Sequence, residues 1–442
     1  MNTNTLKQDI HLKMLIKFAL PTILSTVFMS IYTSVDGMFV ARLVSTDALS
    51  AVNIVMPLVF IASGIGTMFG SGGNALIAAK LGEGKNQEAR EDFSLLLLIS
   101  FIVSLFIVVF CFIFLKPLLV MLGANQKLMD YCVTYMIPVL ISMPFAIFGT
   151  MLSMSYITIS KARLGLVMSV LGGVLNIVLD WVFIAIFHWG IVGAAIATSI
   201  GYATTSVVGL VYFAFNRTHD LYIVKPKWRR HTLIKSCTNG SSEMIGVFAR
   251  SVVEILFNNI LMNLAGANGV ASITIMLYVQ SLFNAVYRGY AVGIAPVISY
   301  NYGANDVQRL KKIHHISMKL IIVASILLTA LCMLCAPIMV RFFAKNNEVV
   351  YTMALHGFRI FSTSCLLVGV NVYASALFTA LNDGKTSAIL SFCRTVVFLV
   401  IPVFVLPIIM GLDGVWASIP VGELLSIMMV VYYFRKLNFK NL

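Results

Sequence analysis

The sequence predicts an all-α polytopic membrane protein, with twelve transmembrane helices in two six-helix lobes related by a pseudo-two-fold axis along the membrane normal. Three observations predict it. Hydrophobic residues make up 60% of the chain and charged residues only 11%, whereas a soluble domain carries about 25% charged residues. Apolar runs of about 20 residues, the length that crosses a bilayer, recur along the whole chain. The second half also falls on the first at a constant offset of 221 residues, the mark of an internal duplication.

In chain order the expected spans are 14–38, 50–74, 94–115, 130–153, 164–186, 191–213, 240–263, 271–297, 316–338, 350–376, 386–408 and 414–434. Short polar or glycine-containing loops join them, so neighbouring spans run antiparallel. Residues 1–213 form the N-terminal lobe, 214–239 a basic linker and 240–442 the C-terminal lobe. Residues 1–12 are polar and no small-residue cleavage site follows, so no cleaved signal is expected. The repeat aligns Gly82 with Gly303, Thr158 with Thr379, Phe183 with Phe404, and Gly190, Gly193 and Gly201 with Gly411, Gly414 and Gly422. Six spans in each half, an even number, place the two halves in the same orientation, and a substrate path is expected at their interface.

Lys and Arg set the orientation. Alternate loops and the two termini hold 21 basic residues, whereas the other set holds only Arg42, Lys116, Lys127, Arg341 and Lys345. The basic set is expected in the cytoplasm, with both termini inside. The net charge of +14 is confined mostly to these loops, so the expected partner is membrane lipid and not nucleic acid. The seven cysteines lie mostly within apolar helices, and Cys332 and Cys335, although spaced as CxxC, read as core packing.

Ionisable groups at membrane depth are costly, at least ~2.5–3.5 kcal/mol each on insertion scales, and rarely idle. Well inside the spans the acids are Asp36, Asp180, Glu254 and Glu423, and the bases are Arg250, Arg288, Arg359 and Arg394. The N-terminal half thus holds two acids and no base, so Asp36 and Asp180 need a proton, a bound cation or a cationic substrate. Arg250 and Glu254 are spaced i,i+4 and are expected to pair, and Glu423 is expected to pair with Arg394 or Arg359. Asn176 and Asp180 share one helical face. Asp36 lies ~33 Å and Asp180 ~25 Å along their helices from the cytoplasmic ends, and Thr198 stands at a similar level. Two carboxylates, an amide and a hydroxyl supply hard oxygen ligands for Na⁺ at Asp36, Asn176 and Asp180, or equally a proton-binding pair. Pro21, upstream of Asp36, frees a backbone carbonyl and marks the first span as a helix that can bend.

Several motifs together resemble the MATE multidrug exporters, and among them the MepA-like branch. They are Pro21 with Asp36, the Asn176-x-x-x-Asp180 pair, the Gly-Glu-Gly-Lys-Asn-Gln-Glu segment at 82–88, and Asn301-Tyr-Gly-Ala-Asn-Asp306 at the matching place in the second half. The resemblance covers essentially the whole chain. It implies a secondary transporter of a bacterial plasma membrane, working as a monomer without a cofactor, that exports lipophilic cations from the cytoplasm in exchange for H⁺ or Na⁺. It assigns the N-lobe cation site to Asp36, Asn176, Asp180 and Thr198 and a seventh-helix acid to Glu254, beside the candidate switch helix that Pro21 marks. No Asp or Glu occurs between Glu348 and Asp383, which departs from members that use an acid in the tenth helix and favours the N-lobe site. Gln280 and Tyr287, about two turns apart, are candidates for the substrate path, which the 23 Met and 30 Phe of the chain would make adaptable. The alternative is a lipid-linked saccharide flippase, for which the C-half arginines would hold pyrophosphate. No HExxH, catalytic Asp pair or Ser-His arrangement lies within the spans, so an enzyme is not expected.

Overall fold

The computed structural model describes residues 9–344 and 347–437, and within its helices the side chains of 34–38, 41–42, 46, 49, 250–251, 254–255, 267 and 343 lie outside the description. The described residues form helices joined by turns and loops, with no strand among them. Helix α1 is Leu12–Leu43. Helix α2 runs 46–82 through a π-helical turn at Phe69–Gly73. Helices α3 (Asn86–Ile113), α4 (Gln126–Thr158), α5 (Ala162–Ile186) and α6 (Gly190–Phe215) complete the first lobe. In α5 the α-helical part ends at Asp180 and a π-helical stretch, Trp181–Ile186, follows.

The second lobe opens with one long helical stretch, Arg230–Gly303, that Gly266 divides. At φ 63°, ψ −154° Gly266 occupies backbone space open essentially to glycine alone, so the stretch is two helices, α7 (230–265) and α8 (267–303). Helices α9 (Val307–Ala344), α10 (Glu348–Ala380), α11 (Gly384–Met410) and α12 (Leu412–Lys436) follow. Eleven of the twelve are long and apolar enough to span a bilayer along their described residues, and α7 is the twelfth.

Most helix ends lie beyond the expected spans, although α3 stops at Ile113, short of the expected 115. Hydropathy marks the lipid-embedded part, but helical hydrogen bonding carries on past it. Thus α7 starts at Arg230, ten residues before the expected span, and the expected linker shrinks to a strap over 216–229.

The strap lies against the first lobe. Ser94 of α3 accepts from Val224 N (2.9 Å) and Arg90 donates to the Asp220 carbonyl (2.8 Å). The guanidinium groups of Arg90 and Arg217 cover the Tyr222 ring at 4.2 and 4.5 Å. Arg229 closes the strap with ion pairs to Glu91 (2.6 Å) and to Asp92 (2.9 Å), and Asp92, fully buried, also holds Lys80 at 2.6 Å.

The lobes meet at the end that carries Gly82 and Gly303. One apolar cluster there draws on both, joining Leu15, Phe18, Ile77 and Leu81 to Ile294, Val297 and Ile298. Towards the opposite end each lobe has a separate cluster, one built around Val55, Tyr135 and Met143, the other around Phe257, Phe358 and Trp416. Helices α2 and α8 cross at near backbone contact. A Cβ on Gly82 would stand 2.0 Å from the Tyr300 carbonyl oxygen, and one on Gly303 would stand 1.9 Å from that of Ala79. Both pairs are related by the repeat offset, since 79 maps onto 300 and 82 onto 303. The same symmetry pairs the contact of Gly72 with Gly240 with that of Gly293 with Ala19. The duplicated halves therefore close on each other through duplicated contacts.

Candidate functional site

The N-lobe site is built by α1, α5 and α6. Helices α1 and α5 pack tightly because Gly173 admits Phe28 and Tyr32: a Cβ there would lie 2.6 Å from the Phe28 ring and 3.4 Å from Tyr32. Helices α5 and α6 approach through Gly172 and Gly201 in the same way. That contact brings Asn176 of α5 to Thr198 of α6, whose hydroxyl accepts from Asn176 Nδ2 at 3.3 Å. Asn176 is 1% exposed, Thr198 8% and Asp180, one turn further along α5, 0%. The Asn176 Oδ1 is buried and accepts nothing from the described residues, so it remains available as a hard oxygen ligand. Asp180 engages a polar partner and sits where α5 passes into its π-helical stretch. Such irregularities frequently mark functional positions in helices.

Position 36 is one turn beyond Tyr32 on α1, at the level of Asn176 and Asp180, but its side chain lies outside the described residues. The same holds for Arg250 and Glu254, so neither their expected pairing nor a role for Glu254 is placed. Pro21 is buried within a helix that continues unbroken from Leu12 to Leu43. No cluster of three or more His, Cys, Asp or Glu occurs among the described residues.

The C-lobe disposes of its charge differently. Arg394 of α11 clasps Glu423 of α12 through three contacts of 2.8–3.0 Å. Asn371 of α10 donates to the same carboxylate at 2.6 Å and to the Glu423 carbonyl at 3.0 Å. Of the two expected partners of Glu423, Arg394 is the one in place, while Arg359 is exposed. Beneath the pair, Ser375, Ser387, Ser391 and Thr379 satisfy one another in a chain of hydroxyls at 2.7–3.0 Å. The repeat positions of Asn176 and Asp180 are Val397 and Ile401, so the N-lobe site has no counterpart here.

Of the two candidates on α8, Gln280 is half-buried. Tyr287 is 4% exposed and its hydroxyl donates to the Cys365 carbonyl at 2.9 Å. Its ring fills the notch left by Gly369, where a Cβ would lie 2.7 Å away, so Tyr287 packs α8 against α10. Glu243 is only three residues inside the expected span 240–263 and is not among the acids expected at depth. With α7 starting at Arg230, Glu243 is more than three turns inside the helix. It meets Arg288 of α8 at 3.6 Å.

The MatE family model matches the chain twice, over residues 21–182 and 244–405, one stretch of equal length in each lobe. The chain belongs to the MatE family. Among its relatives are Multidrug export protein MepA of Staphylococcus saprophyticus, 24% identical, and MepA of Staphylococcus aureus (strain MSSA476), 26% identical, each over 96% of this chain and 94% of the relative. The fold matches a crystal structure of a MATE protein in complex with MaL6 at a TM-score of 0.93 and 23% identity, covering 98% of both chains. It also matches an outward-facing multidrug resistance MATE family transporter of the MOP superfamily at 0.92 and 23% identity, over 98% of this chain and 97% of that one.

Proposed function

We propose that this protein is a secondary active multidrug exporter that moves lipophilic cations out of the cytoplasm in exchange for an entering H⁺ or Na⁺. The observation that carries this reading is the buried N-lobe constellation of Asn176, Asp180 and Thr198 in a fold whose lobes, among the described residues, share one apolar cluster at one end and hold separate clusters towards the other. Relatives named for multidrug export, alike over nearly their full length, support it.

Asp180 and Asp36 bind the coupling cation, Asn176 and Thr198 contribute oxygen atoms, and α1 responds through Pro21. The 21-to-5 division of basic residues supports a cytoplasmic position for the joined end in a bacterial plasma membrane, and on that reading the conformation described faces outward. One positive charge moving inward through 100 mV yields about 2.3 kcal/mol, which the lobes convert into alternating access. Of the C-half arginines on which a flippase reading would draw, Arg394 pairs with Glu423 and Arg288 meets Glu243 at 3.6 Å.

The test is efflux of a fluorescent lipophilic cation from proteoliposomes under an imposed pH gradient and, separately, an imposed Na⁺ gradient. One gradient is expected to drive efflux, and Asp180→Asn or Asp36→Asn is expected to cut the driven rate at least tenfold with folding unchanged. Wild-type efflux in the double amide variant would sink the N-lobe assignment.

A further inference from the structure

A cavity lies between the lobes directly beside their joined end. Its walls come from both halves: Ser71 and Asn74 of α2 and Met154 of α4 on one side, Glu243 of α7, Pro296 of α8 and Thr379 of α10 on the other. The lining is mostly apolar, and Glu243 is its one ionisable side chain among the described residues. The π-helical turn Phe69–Gly73 forms part of the wall, and the Ser71 hydroxyl is buried in it with no partner among the described residues. Room for water-sized spheres amounts to about 40 Å³, space for a few waters and not for an organic ligand. Because opposite walls belong to different lobes, parting of the lobes at the Gly82–Gly303 crossing widens it.

Glu243 is held loosely. Its one ion pair among the described residues, to Arg288, spans 3.6 Å, and the two side chains keep 22% and 40% of their surface exposed. Arg394 and Glu423, by contrast, are locked by three short contacts and an amide. Nor does the duplicated scaffold require charge here, since the repeat positions of Glu243 and Arg288 are Thr22 and Thr67. A carboxylate that faces an apolar, expandable cavity and has only a weak partner is suited to exchange that partner for another cation.

We propose that Glu243 recognises the positive charge of the substrate, a lipophilic organic monocation, and that Arg288 holds the carboxylate until the substrate replaces it. The inference rests on the export reading and names the residue at which the substrate is taken up. When the lobes rejoin, the cavity contracts, Arg288 returns to Glu243 and the cation is released towards the far side. Glu243 thus serves substrate recognition, separate from the coupling site on α5.

Binding of tetraphenylphosphonium, and of neutral triphenylphosphine oxide, to the full-length purified protein tests this. Glu243→Gln is expected to weaken phosphonium binding at least tenfold and to leave the oxide within twofold. Glu243→Asp should recover most of the affinity, which guards against a folding defect, and Arg288→Gln should tighten phosphonium binding. Unchanged phosphonium affinity in Glu243→Gln, an equal loss for both probes, or weaker phosphonium binding in Arg288→Gln would overturn the assignment. Failure of the wild-type protein to bind any lipophilic cation would refute the export reading itself, which keeps the two failures distinct.

Discussion

Glu423 and Asp180 are both buried carboxylates at membrane depth, yet their neighbours give them different tasks. Around Glu423 a guanidinium and an amide fill the acceptor positions, so the charge is balanced within the fold. Removing one partner of such a pair strands the other, which typically costs about 3–5 kcal/mol, whereas replacing both with apolar groups is often neutral. Arg394→Leu is therefore expected to destabilise the protein by about that amount, and Arg394→Leu with Glu423→Leu to restore most of it. Denaturation midpoints of the two variants in detergent decide, and equal loss in single and double variants would show that the pair is not a balanced unit. Composition alone made the N-lobe acids stand out, because that half has no buried base to pair with them. The choice between Arg394 and Arg359 was not legible, since it depends on how α10 and α11 are rotated against α12. Glu243 was missed for a related reason: its depth depends on where α7 starts, and polar residues upstream of it hide a helix that is already formed.

Among the elements, the α-helices themselves were the most readable, because a run of apolar residues in lipid has few alternatives to a helix. Their ends were not, since helical bonding outlasts the lipid-facing stretch. The strap over 216–229 was legible only as a basic linker. Its partners Glu91 and Asp92 lie on α3, more than a hundred residues earlier in the chain, and no periodicity links them. Asp92 is the keystone, fully buried between Lys80 and Arg229. With Asp92→Ala, both cations lose their buried partner and the strap keeps only one of its two closing ion pairs, Arg229 with Glu91. The expected result is faster proteolysis within 216–229, read by limited digestion in membranes opened on that side, at least severalfold over wild type. A digestion rate equal to wild type would mean that Tyr222 with its two guanidinium groups and the Arg229–Glu91 pair hold the strap without Asp92.

At the scale of the whole molecule, the duplication sets how the two lobes close. The sequence repeat was legible, and with it the two-lobe plan, but the conformation was not, because either end of such a pair can be joined with the same sequence. Here the joined end is sealed where α2 and α8 exchange backbone contacts, Gly82 against Tyr300 and Gly303 against Ala79. Any side chain at either glycine would sit inside the van der Waals radius of a carbonyl oxygen on the other lobe. The obstruction exists only while the lobes are joined at that end, so it acts on one of the two states and shifts the balance between them. Gly303→Val is accordingly expected to hold the joined end open. Spin labels at the exposed, repeat-related positions Gln87 and Gln308 should report a longer and broader distance distribution than in the wild type. In the same variant binding of a lipophilic cation should persist while efflux falls at least tenfold, since uptake needs the open end and release needs it closed. Gly82→Val, its symmetric partner, should do the same. A wild-type distance distribution in a folded Gly303→Val protein would rule out the crossing as the seal, and a shift in only one of the two variants would mean that the duplicated contacts do not act as equivalents.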